Sequence, residues 1–236
     1  MSIKSFFEIL SQNNTDKVTH HGYHFFYPRY LEKFRDTSDA MIEIGIAYKN
    51  SLNAWIEYFD KAFLYGLDIN LEENNERYNI IKCDQSSEEQ INIFITNINH
   101  IIFFIIDDGS HIPEHQLLTF NKLFNILKPG GVYIIEDIET SYWNKLGLCG
   151  YETNYGYKHP KSILEIFKNI IDDINDEFLN DENKLLQDEL TKDSINKNNR
   201  EWIQSIIFGQ NCIIILKKTE EEYNYFKREY RFKDRI

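Results

Sequence analysis

The feature that most constrains the fold is a pair of apolar runs that each stop at carboxylates. The run 100–106 leads into Asp107-Asp108-Gly109-Ser110-His111, and the run 132–135 leads into Glu136-Asp137. Between them lies a helix-like stretch from Pro113 to Leu127, closed by Lys128-Pro129-Gly130-Gly131. A strand, a crossover helix and a second strand form a βαβ unit with parallel strands. The sequence therefore predicts that both acidic ends lie at one edge of a sheet, where open α/β proteins bind ligands.

These two acidic ends predict a metal site. Four carboxylates and the His111 imidazole would gather at one edge, and like charges that close repel each other unless a cation joins them. Ligation by oxygen without thiolates favours a hard cation such as Mg²⁺ over Zn²⁺. A different interpretation, a metal-using oxygenase, would require His115 as a ligand beside His111.

Composition indicates one globular domain. The chain has 236 residues, of which 42% are hydrophobic and 15% aromatic, enough for one sizeable core. We expect a single domain over residues 1–236, with an N-terminal helical or gating segment (1–38), a Rossmann-like core (39–217) and a C-terminal tail (218–236). The closely spaced His20, His21 and His24 lack cysteine partners, which favours a gating segment over a zinc site.

The net charge and the cysteine content indicate which binding partners and which cellular compartment to expect. A formal net charge of −12 disfavours nucleic acid and anionic membranes as partners. No secretory signal is recognisable, and Cys83, Cys149 and Cys212 are scattered without CxxC spacing, which predicts reduced thiols and a cytoplasmic location. The aromatic and basic tail from 223 to 233 is expected to pack on the domain or to form a subunit contact in a homo-oligomer.

Strand-like and helix-like runs alternate along the chain. Strands are predicted at 39–45, 62–68, 79–84 and 100–107, and helices at 51–59, 88–98, 113–127 and 162–179. Residues 138–160 predict a long loop over the site, and the polar run 181–200 predicts a solvated helix or loop. Residues 201–208 and 212–217, joined at Gly209-Gln210-Asn211, predict a hairpin. This order is typical of an α/β fold with a doubly wound, mostly parallel sheet and an antiparallel C-terminal hairpin.

The first strand–helix–strand unit indicates the cofactor. Glu43-Ile44-Gly45 ends one predicted strand and Gly66-Leu67-Asp68 ends the next. An acid about 20 residues beyond a glycine turn suits the two hydroxyls of a ribose. The chain has neither GxGxxG for a pyrophosphate nor GxxxxGK[ST] for a triphosphate. A ribose acid without a phosphate loop favours a nucleoside that lacks phosphates, of which S-adenosylmethionine is the common one.

Together these motifs resemble a known family. The chain resembles class I S-adenosylmethionine-dependent methyltransferases, and within them the metal-dependent sugar O-methyltransferases of the mycinamicin type. The likeness runs from about residue 14 to residue 143. It is carried by Thr15-Asp16-Lys17 with His21-Gly22-Tyr23, Glu43-Ile44-Gly45 with Ser51-Leu52 and Trp55, Gly66-Leu67-Asp68, Asp84-Gln85, Asp107-Asp108-Gly109-Ser110-His111, Leu127–Gly131, and Glu136-Asp137 with Thr140–Trp143.

The resemblance implies a fold, an activity and a set of site residues. It implies a seven-stranded sheet, a sugar hydroxyl on a nucleotide-linked or glycan-bound deoxysugar as acceptor, and His111 as the general base. Other acceptors remain open, namely an amino-sugar nitrogen or a phosphoramidate oxygen. The implied Mg²⁺ ligands are Asp108, Glu136 and Asp137. The implied cofactor contacts are Glu43, Gly45 and Ser51 near the methionine part, Asp68 at the ribose, Asp84 and Gln85 at the adenine, and Asp107 near the methionine ammonium.

One position departs from the family pattern. Lys49 stands where the family usually has a second glycine, which lets the backbone approach the cofactor closely. Either Lys49 points outward with the loop re-routed through Asn50, or it weakens cofactor binding. The second outcome would fit a catalytically degenerate protein that only binds cofactor. Tyr142 and Trp143 are equally consistent with a platform for a sugar and with loop packing.

Overall fold

The computed structural model describes residues 4–143 and 153–226 as two compact units, residues 1–110 and residues 111–236. Cys149, part of the predicted loop 138–160 and most of the tail from 223 to 233 lie outside the described residues. In the part described, Cys83 and Cys212 are both buried, as predicted.

The first unit opens with short helices: α1 (Phe6–Gln12), α2 (Asp16–Thr19) and α3 (Pro28–Leu31). A capping box starts α1, because the Ser5 hydroxyl accepts from the Glu8 N–H and the Glu8 carboxylate accepts from the Ser5 N–H. Thr15 caps α2 in a similar way, with its side chain accepting from the Lys17 N–H at 3.2 Å. These caps fix where the N-terminal segment turns.

Five strands form the sheet of the first unit. They are β1 (Ala40–Ile44), β2 (Phe63–Asp68), β3 (Glu73–Asn74), β4 (Tyr78–Lys82) and β5 (Ile102–Asp107). Their order is β3-β4-β2-β1-β5; β4, β2, β1 and β5 are parallel neighbours and β3 is antiparallel to β4. Every residue of β1 and β5 is buried, as expected for central parallel strands.

Two longer helices, α4 (Asn50–Tyr58) and α5 (Glu88–Thr96), follow β1 and β4 along the chain. Aromatic rings dominate the core beneath α4: Trp55 meets Phe104 edge-on at 5.5 Å, and Phe59 meets Phe103 at 5.0 Å. Edge-to-face pairs of this kind add roughly 1 kcal/mol each beyond the area they bury. This packing fixes α4 against β5, which pairs with β1 in parallel.

The second unit combines helices with an antiparallel sheet. Its helices are α6 (Pro113–Leu123), α7 (Ile163–Asn169), α8 (Ile171–Ile174), α9 (Asp181–Thr191), α10 (Lys197–Trp202) and α11 (Glu220–Phe226). Its strands are β6 (Leu127–Glu136), β7 (Ile203–Gly209) and β8 (Cys212–Lys217), in the order β6-β8-β7 with both pairs antiparallel. The predicted C-terminal hairpin is confirmed.

Three predicted elements of this unit are wrong in extent. The helix predicted to reach Leu127 ends at Leu123, and Leu127 instead begins β6, so that the run 128–131 belongs to a strand. There the Gly130 N–H donates to the Lys218 carbonyl at 3.1 Å. The helix predicted over 162–179 is broken into α7, α8 and a 3₁₀ turn, with Ile170 leaving helical geometry at ψ 5°.

The run 181–200 is more than a solvated surface. Arg200 is buried, and its guanidinium donates to Asp173 and Asp188 at 2.9 Å each. It also donates to the Ile195 carbonyl at 2.9 Å. The polar run therefore contributes a buried charged side chain that stabilises the unit through hydrogen bonds.

The described residues hold eight strands, whereas the resemblance implies seven; the two-residue β3 is one addition that no sequence pattern indicates. The mixed α/β character and the antiparallel C-terminal pair agree with the prediction. In the described part of the chain, no helix combines the length and the apolar character that a bilayer-spanning helix needs.

Candidate active site

The turn after β5 is braced by Gln85. The Gln85 amide nitrogen donates to both carboxylate oxygens of the fully buried Asp107, at 2.7 and 2.9 Å. Its amide oxygen accepts from the Ser110 N–H at 2.8 Å. Gln85 and Asp107 were predicted to contact different parts of the cofactor, and the structure brings them together as one clamp on the turn.

The turns after β1 and β5 approach each other closely at Gly45. Gly45 has φ +85°, and a Cβ built there would lie 2.0 Å from the carbonyl oxygen of Asp108. The Asp108 N–H in turn donates to the Ile44 carbonyl at 2.9 Å. Only glycine satisfies both the left-handed backbone and the lack of space. The signature Glu43-Ile44-Gly45 therefore shapes a narrow backbone cradle at the ends of these strands.

Glu43, like Asp107, is a completely buried acid of the predicted cofactor group. It is 0% exposed in β1, and Oε1 accepts from the Trp55 indole at 3.0 Å, whereas Oε2 has no hydrogen-bond partner among the described residues. Burial raises the pKa of Glu43 to about 7, and Lys17 and the Ser51 hydroxyl counteract that rise. A buried carboxylate oxygen without a donor is costly, which makes it suited to a positively charged or hydrogen-bonding ligand.

Asp68 organises two loops at once. Its Oδ2 accepts from the N–H groups of Ile46 and Ala47 at 3.1 and 3.2 Å, and its Oδ1 accepts from Asn70 and Leu71 at 2.7 and 3.0 Å. Partial burial opposes ionisation, but these four backbone donors outweigh it and lower the pKa of Asp68. About four acceptor sites exist on a carboxylate. Ribose binding by Asp68 stays a prediction, and ribose hydroxyls would have to share oxygens that already serve the backbone.

The loop after β1 accommodates Lys49 at the position where the family usually has a second glycine. Lys49 itself adopts the left-handed region at φ 64° and caps α4, and Asn50 is already helical. The expectation that the loop is re-routed through Asn50 is therefore wrong. The Lys49 ammonium pairs with Glu73 at the surface, so the backbone follows a glycine-like path while the side chain points outward, as one alternative predicted.

Asp108 is paired with a lysine that sequence reasoning left without a role. Lys17 is 1% exposed at α2, and its ammonium lies 2.7 Å from Asp108 Oδ2. His21, four residues further on, has a pKa lowered by burial and opposed by the nearby Asp16. The motif Thr15-Asp16-Lys17 was the available signal, but its 91-residue separation from Asp108 could not be read from sequence.

The second unit brings His111 and Asp137 together. His111 Nε2 lies 3.7 Å from Asp137 Oδ2, and both side chains are largely buried. Both residues have left-handed backbones, at φ 58° and 52°, which is unusual outside glycine and concentrates at functional sites. The Thr140 hydroxyl donates to the His111 carbonyl at 2.6 Å and fixes the start of the turn before α6. This distance is too long for a hydrogen bond, but an imidazole nitrogen and a carboxylate oxygen so placed can both contact one cation.

Glu136 precedes this pair at the end of β6. It is 1% exposed, and the Gln116 amide donates to its carbonyl at 3.1 Å. A role for Glu136 in metal binding stays a prediction, as does the joining of Asp108 to the pair, because Asp108 belongs to the first unit. Among the described residues, no group of three close ligand side chains includes His115. The structure therefore offers no support for the iron site that His115 would complete.

Two further predicted residues lie at helix starts. Asp84 Oδ1 accepts from the Ser86 N–H at 2.8 Å and from its hydroxyl at 2.7 Å, just before α5. Ser51 lies in the first turn of α4, close to Glu43. Tyr142 is 48% exposed and stacks on Tyr157 at 6.0 Å, which leaves both interpretations of Tyr142 open.

Comparison with known proteins identifies similar sequences. No family model matches the chain. It is 35% identical over 141 residues to 8-demethyl-8-alpha-L-rhamnosyl tetracenomycin-C 2'-O-methyltransferase of Streptomyces olivaceus, covering 56% of this chain and 37% of the relative. It is 34% identical over 130 residues to demethylmacrocin O-methyltransferase of Streptomyces fradiae, and the match covers 51% of this chain and 33% of the relative. It is 35% identical over 136 residues to mycinamicin VI 2''-O-methyltransferase of Micromonospora griseorubida, and that match covers 52% of this chain and 34% of the relative. The chain thus matches only about a third of the length of these relatives.

Comparison with solved structures also identifies a methyltransferase. The MycE methyltransferase of the mycinamycin biosynthetic pathway, in complex with Mg, SAH and mycinamycin VI, superposes with a TM-score of 0.73 and 25% identity, covering 93% of this chain and 56% of that one. A second crystal structure of MycE with Mg and SAH gives a TM-score of 0.77 at 24% identity, covering 94% and 56%. The chain shares the fold of this methyltransferase, and its sequence is similar to that of sugar O-methyltransferases.

Proposed function

We propose that this chain is an S-adenosylmethionine-dependent O-methyltransferase that uses Mg²⁺ to methylate a sugar hydroxyl in the cytoplasm. The observation that carries the proposal is the His111–Asp137 pair, 3.7 Å apart, in a chain that resembles sugar O-methyltransferases over more than half its length. For the fold, we propose the doubly wound sheet of class I methyltransferases, to which the two-residue β3 is an addition.

The residues of the first unit fit an S-adenosylmethionine cofactor. The Gly45 cradle leaves no room for a Cβ, and the unpartnered Oε2 of Glu43 is a buried acceptor beside it. The glycine-like backbone of Lys49 keeps the loop open in spite of the substitution, which argues against a degenerate protein. We assign Glu43, Gly45 and Ser51 to the methionine part, Asp68 to the ribose, Asp84 and Gln85 to the adenine side, and Asp107 to the methionine ammonium.

The proposed set of three carboxylate donors fits Mg²⁺. Asp137 and Glu136 supply carboxylates, and Asp108, three residues before His111, is the third proposed ligand. When bound, the cation lowers the pKa of a sugar hydroxyl that it contacts, and S-adenosylmethionine supplies the methyl group. His111 would accept the hydroxyl proton on its imidazole while Asp137 lies beside the ring, and the acceptor oxygen would bond to the methyl carbon as the methyl–sulfur bond breaks, which leaves S-adenosylhomocysteine.

The acceptor follows from the relatives by analogy. All three sequence relatives named above carry O-methyltransferase in their names, and the first is named for an acceptor with a rhamnosyl group. We propose a nucleotide-linked or glycan-bound deoxysugar for this chain. A small molecule of this kind also accords with the net charge of −12, which disfavours nucleic acid. An amino-sugar nitrogen or a phosphoramidate oxygen is the competing acceptor.

The direct test is methyl transfer to a panel of nucleotide sugars and glycosides, with S-adenosylmethionine and Mg²⁺, followed by mass spectrometry. We expect one acceptor class to gain a single methyl group, and we expect no gain when EDTA replaces Mg²⁺. Cofactor binding without transfer to any acceptor would favour the degenerate protein instead. Transfer only to amines would favour the nitrogen acceptor.

A further inference from the structure

We propose that Asn211 is a positioning residue that orients the Asp137 carboxylate for the cation. This inference rests on the proposed function, because Asp137 is one of the proposed ligands there. Asn211 lies in the turn between β7 and β8, 74 residues from Asp137 along the chain. Neither the motifs nor the resemblance assigns it a role.

The Asn211 side chain is held at both ends. Its Nδ2 donates to Asp137 Oδ1 at 2.9 Å, and its Oδ1 accepts from the Glu139 N–H at 3.0 Å. Its backbone carbonyl accepts from the Ile138 N–H at 3.4 Å. One residue of the hairpin thus binds three consecutive residues after β6, and its amide cannot rotate without breaking a contact.

These contacts determine the orientation of the Asp137 carboxylate. The Asn211 amide holds Oδ1, while Oδ2 is the oxygen that lies 3.7 Å from His111 Nε2. Asp137 has a left-handed backbone at φ 52°, so the turn itself needs support from outside. Asn211 also has a left-handed backbone, at φ 57°, which asparagine tolerates better than most residues. The hairpin therefore delivers a rigid hydrogen-bond donor to a proposed metal ligand.

Groups that orient a metal ligand in this way typically change metal affinity by about 10- to 100-fold when they are removed. The variant Asn211→Gly removes the amide and keeps the left-handed backbone. We expect calorimetric titration of the full chain with Mg²⁺ to show affinity about 10- to 100-fold weaker in this variant. Gln210→Gly is the matched control in the same turn, because Gln210 is exposed and no described residue hydrogen-bonds to its side chain. Its Mg²⁺ affinity should equal that of the parent.

A second control separates positioning from stability. Gln187 is buried elsewhere in the unit and donates to the Asn169 carbonyl and to Asp173 at 2.8 Å each. Gln187→Ala should lower the melting temperature without changing Mg²⁺ affinity. If Asn211→Gly also lowers only the melting temperature, Asn211 is structural and the inference is wrong. If the parent itself binds no Mg²⁺, the proposed function fails together with the inference.

Discussion

Glu43 is a completely buried carboxyl whose pKa is raised by burial to about 7 from an ordinary value of 4.5. The folded protein therefore holds a proton between these two pH values that the unfolded chain has released. By linkage, the contribution of Glu43 to the free energy of unfolding is fully present below pH 4.5 and is lost as pH rises to about 7. The loss is on the order of 3 kcal/mol, at 1.36 kcal/mol for each unit of pKa.

The variant Glu43→Gln should remove this dependence. Glutamine keeps an oxygen that accepts from the Trp55 indole but does not titrate. Denaturant unfolding at several pH values should show a flatter profile between pH 4.5 and 7 than the parent, and a more stable variant above that window. As a control, Glu57→Gln alters an exposed acid whose pKa is lowered by Lys4 and should leave the slope in place. An unchanged slope in Glu43→Gln would contradict the assignment.

Lys17 and Lys4 form ion pairs of similar length in very different surroundings. The Lys17–Asp108 pair is 2.7 Å long with side chains 1% and 19% exposed, and the Lys4–Glu57 pair is 2.6 Å long with side chains 47% and 37% exposed. Removing one member of a buried pair costs about 3–5 kcal/mol because a charge is left without compensation. Removing an exposed pair costs about 1 kcal/mol or less.

We therefore expect Lys17→Met to lose several times as much free energy of unfolding as Lys4→Met, as measured by denaturant titration. The double variant Lys17→Met/Asp108→Asn should recover part of the loss, because it also removes the orphaned carboxylate. Equal effects of the two lysine variants would show that the Lys17 pair is as weak as a surface contact.

The sequence indicates candidate residues for the site, whose roles stay predictions, but it does not indicate which side chains contact them. The acids at the ends of the predicted strands and His111 stand out in sequence because apolar runs stop at them. Gln85 with Asp107, Lys17 with Asp108 and Asn211 with Asp137 are 22, 91 and 74 residues apart. Contacts at such separations depend on how elements pack, and no local pattern specifies them.

At the scale of elements, the loop between β1 and α4 has two left-handed residues that are not glycine, Ala47 at φ 43° and Lys49 at φ 64°. A left-handed residue with a Cβ costs roughly 1–2 kcal/mol. Lys49→Gly should relieve that cost, offset in part by the greater freedom of glycine in the unfolded chain and by the lost surface pair. We expect unfolding measurements to show that Lys49→Gly is neutral to slightly stabilising.

Lys49→Val is the matched contrast, because a β-branched residue is a marked outlier in the left-handed region. It should be clearly destabilising in the same measurement. If valine were tolerated as well as glycine, the loop would have to adopt another backbone path, and the argument for an open cofactor cradle would fail.

The sequence predicts well the elements that have a clear hydrophobic period. It predicts poorly where a helix breaks and where a strand continues through residues typical of turns. Apart from the two-residue β3, the strands of the first unit and the β7–β8 hairpin lie within a few residues of their predicted bounds. Lys128-Pro129-Gly130-Gly131 has turn chemistry, yet it extends β6 because Gly130 pairs with Lys218 across the sheet. The helix after Ser162 breaks at Ile170 although its apolar spacing continues, so tertiary packing overrides local propensity there.

At the scale of the whole molecule, a bound cation should stabilise the native chain. Ligands that bind only the folded state raise the free energy of unfolding, by about 2.7 kcal/mol at 100 times the dissociation constant. We expect Mg²⁺ to raise the melting temperature of the parent in a thermal-shift assay, and EDTA to reverse the effect. The variant Asp137→Asn should lose most of this shift. A Mg²⁺ shift of the same size in Asp137→Asn would place the cation elsewhere.

His111 is proposed to remove the acceptor proton in a methyl transfer, and the turnover rates of two histidine variants test this role directly. With S-adenosylmethionine, Mg²⁺ and the acceptor found in the panel, His111→Ala should lower kcat by about 10²- to 10⁴-fold, the range for loss of a general base. Its affinity for cofactor should change little. We expect the rate of the parent to fall at low pH, where a protonated base cannot accept the proton, and we expect no such fall in the variant.

The matched variant is His115→Ala, which changes a partly exposed histidine one turn further along α6 and should leave kcat close to that of the parent. The account predicts this contrast between the two variants at one saturating acceptor concentration. Full turnover in His111→Ala, or loss of turnover in His115→Ala alone, would contradict it.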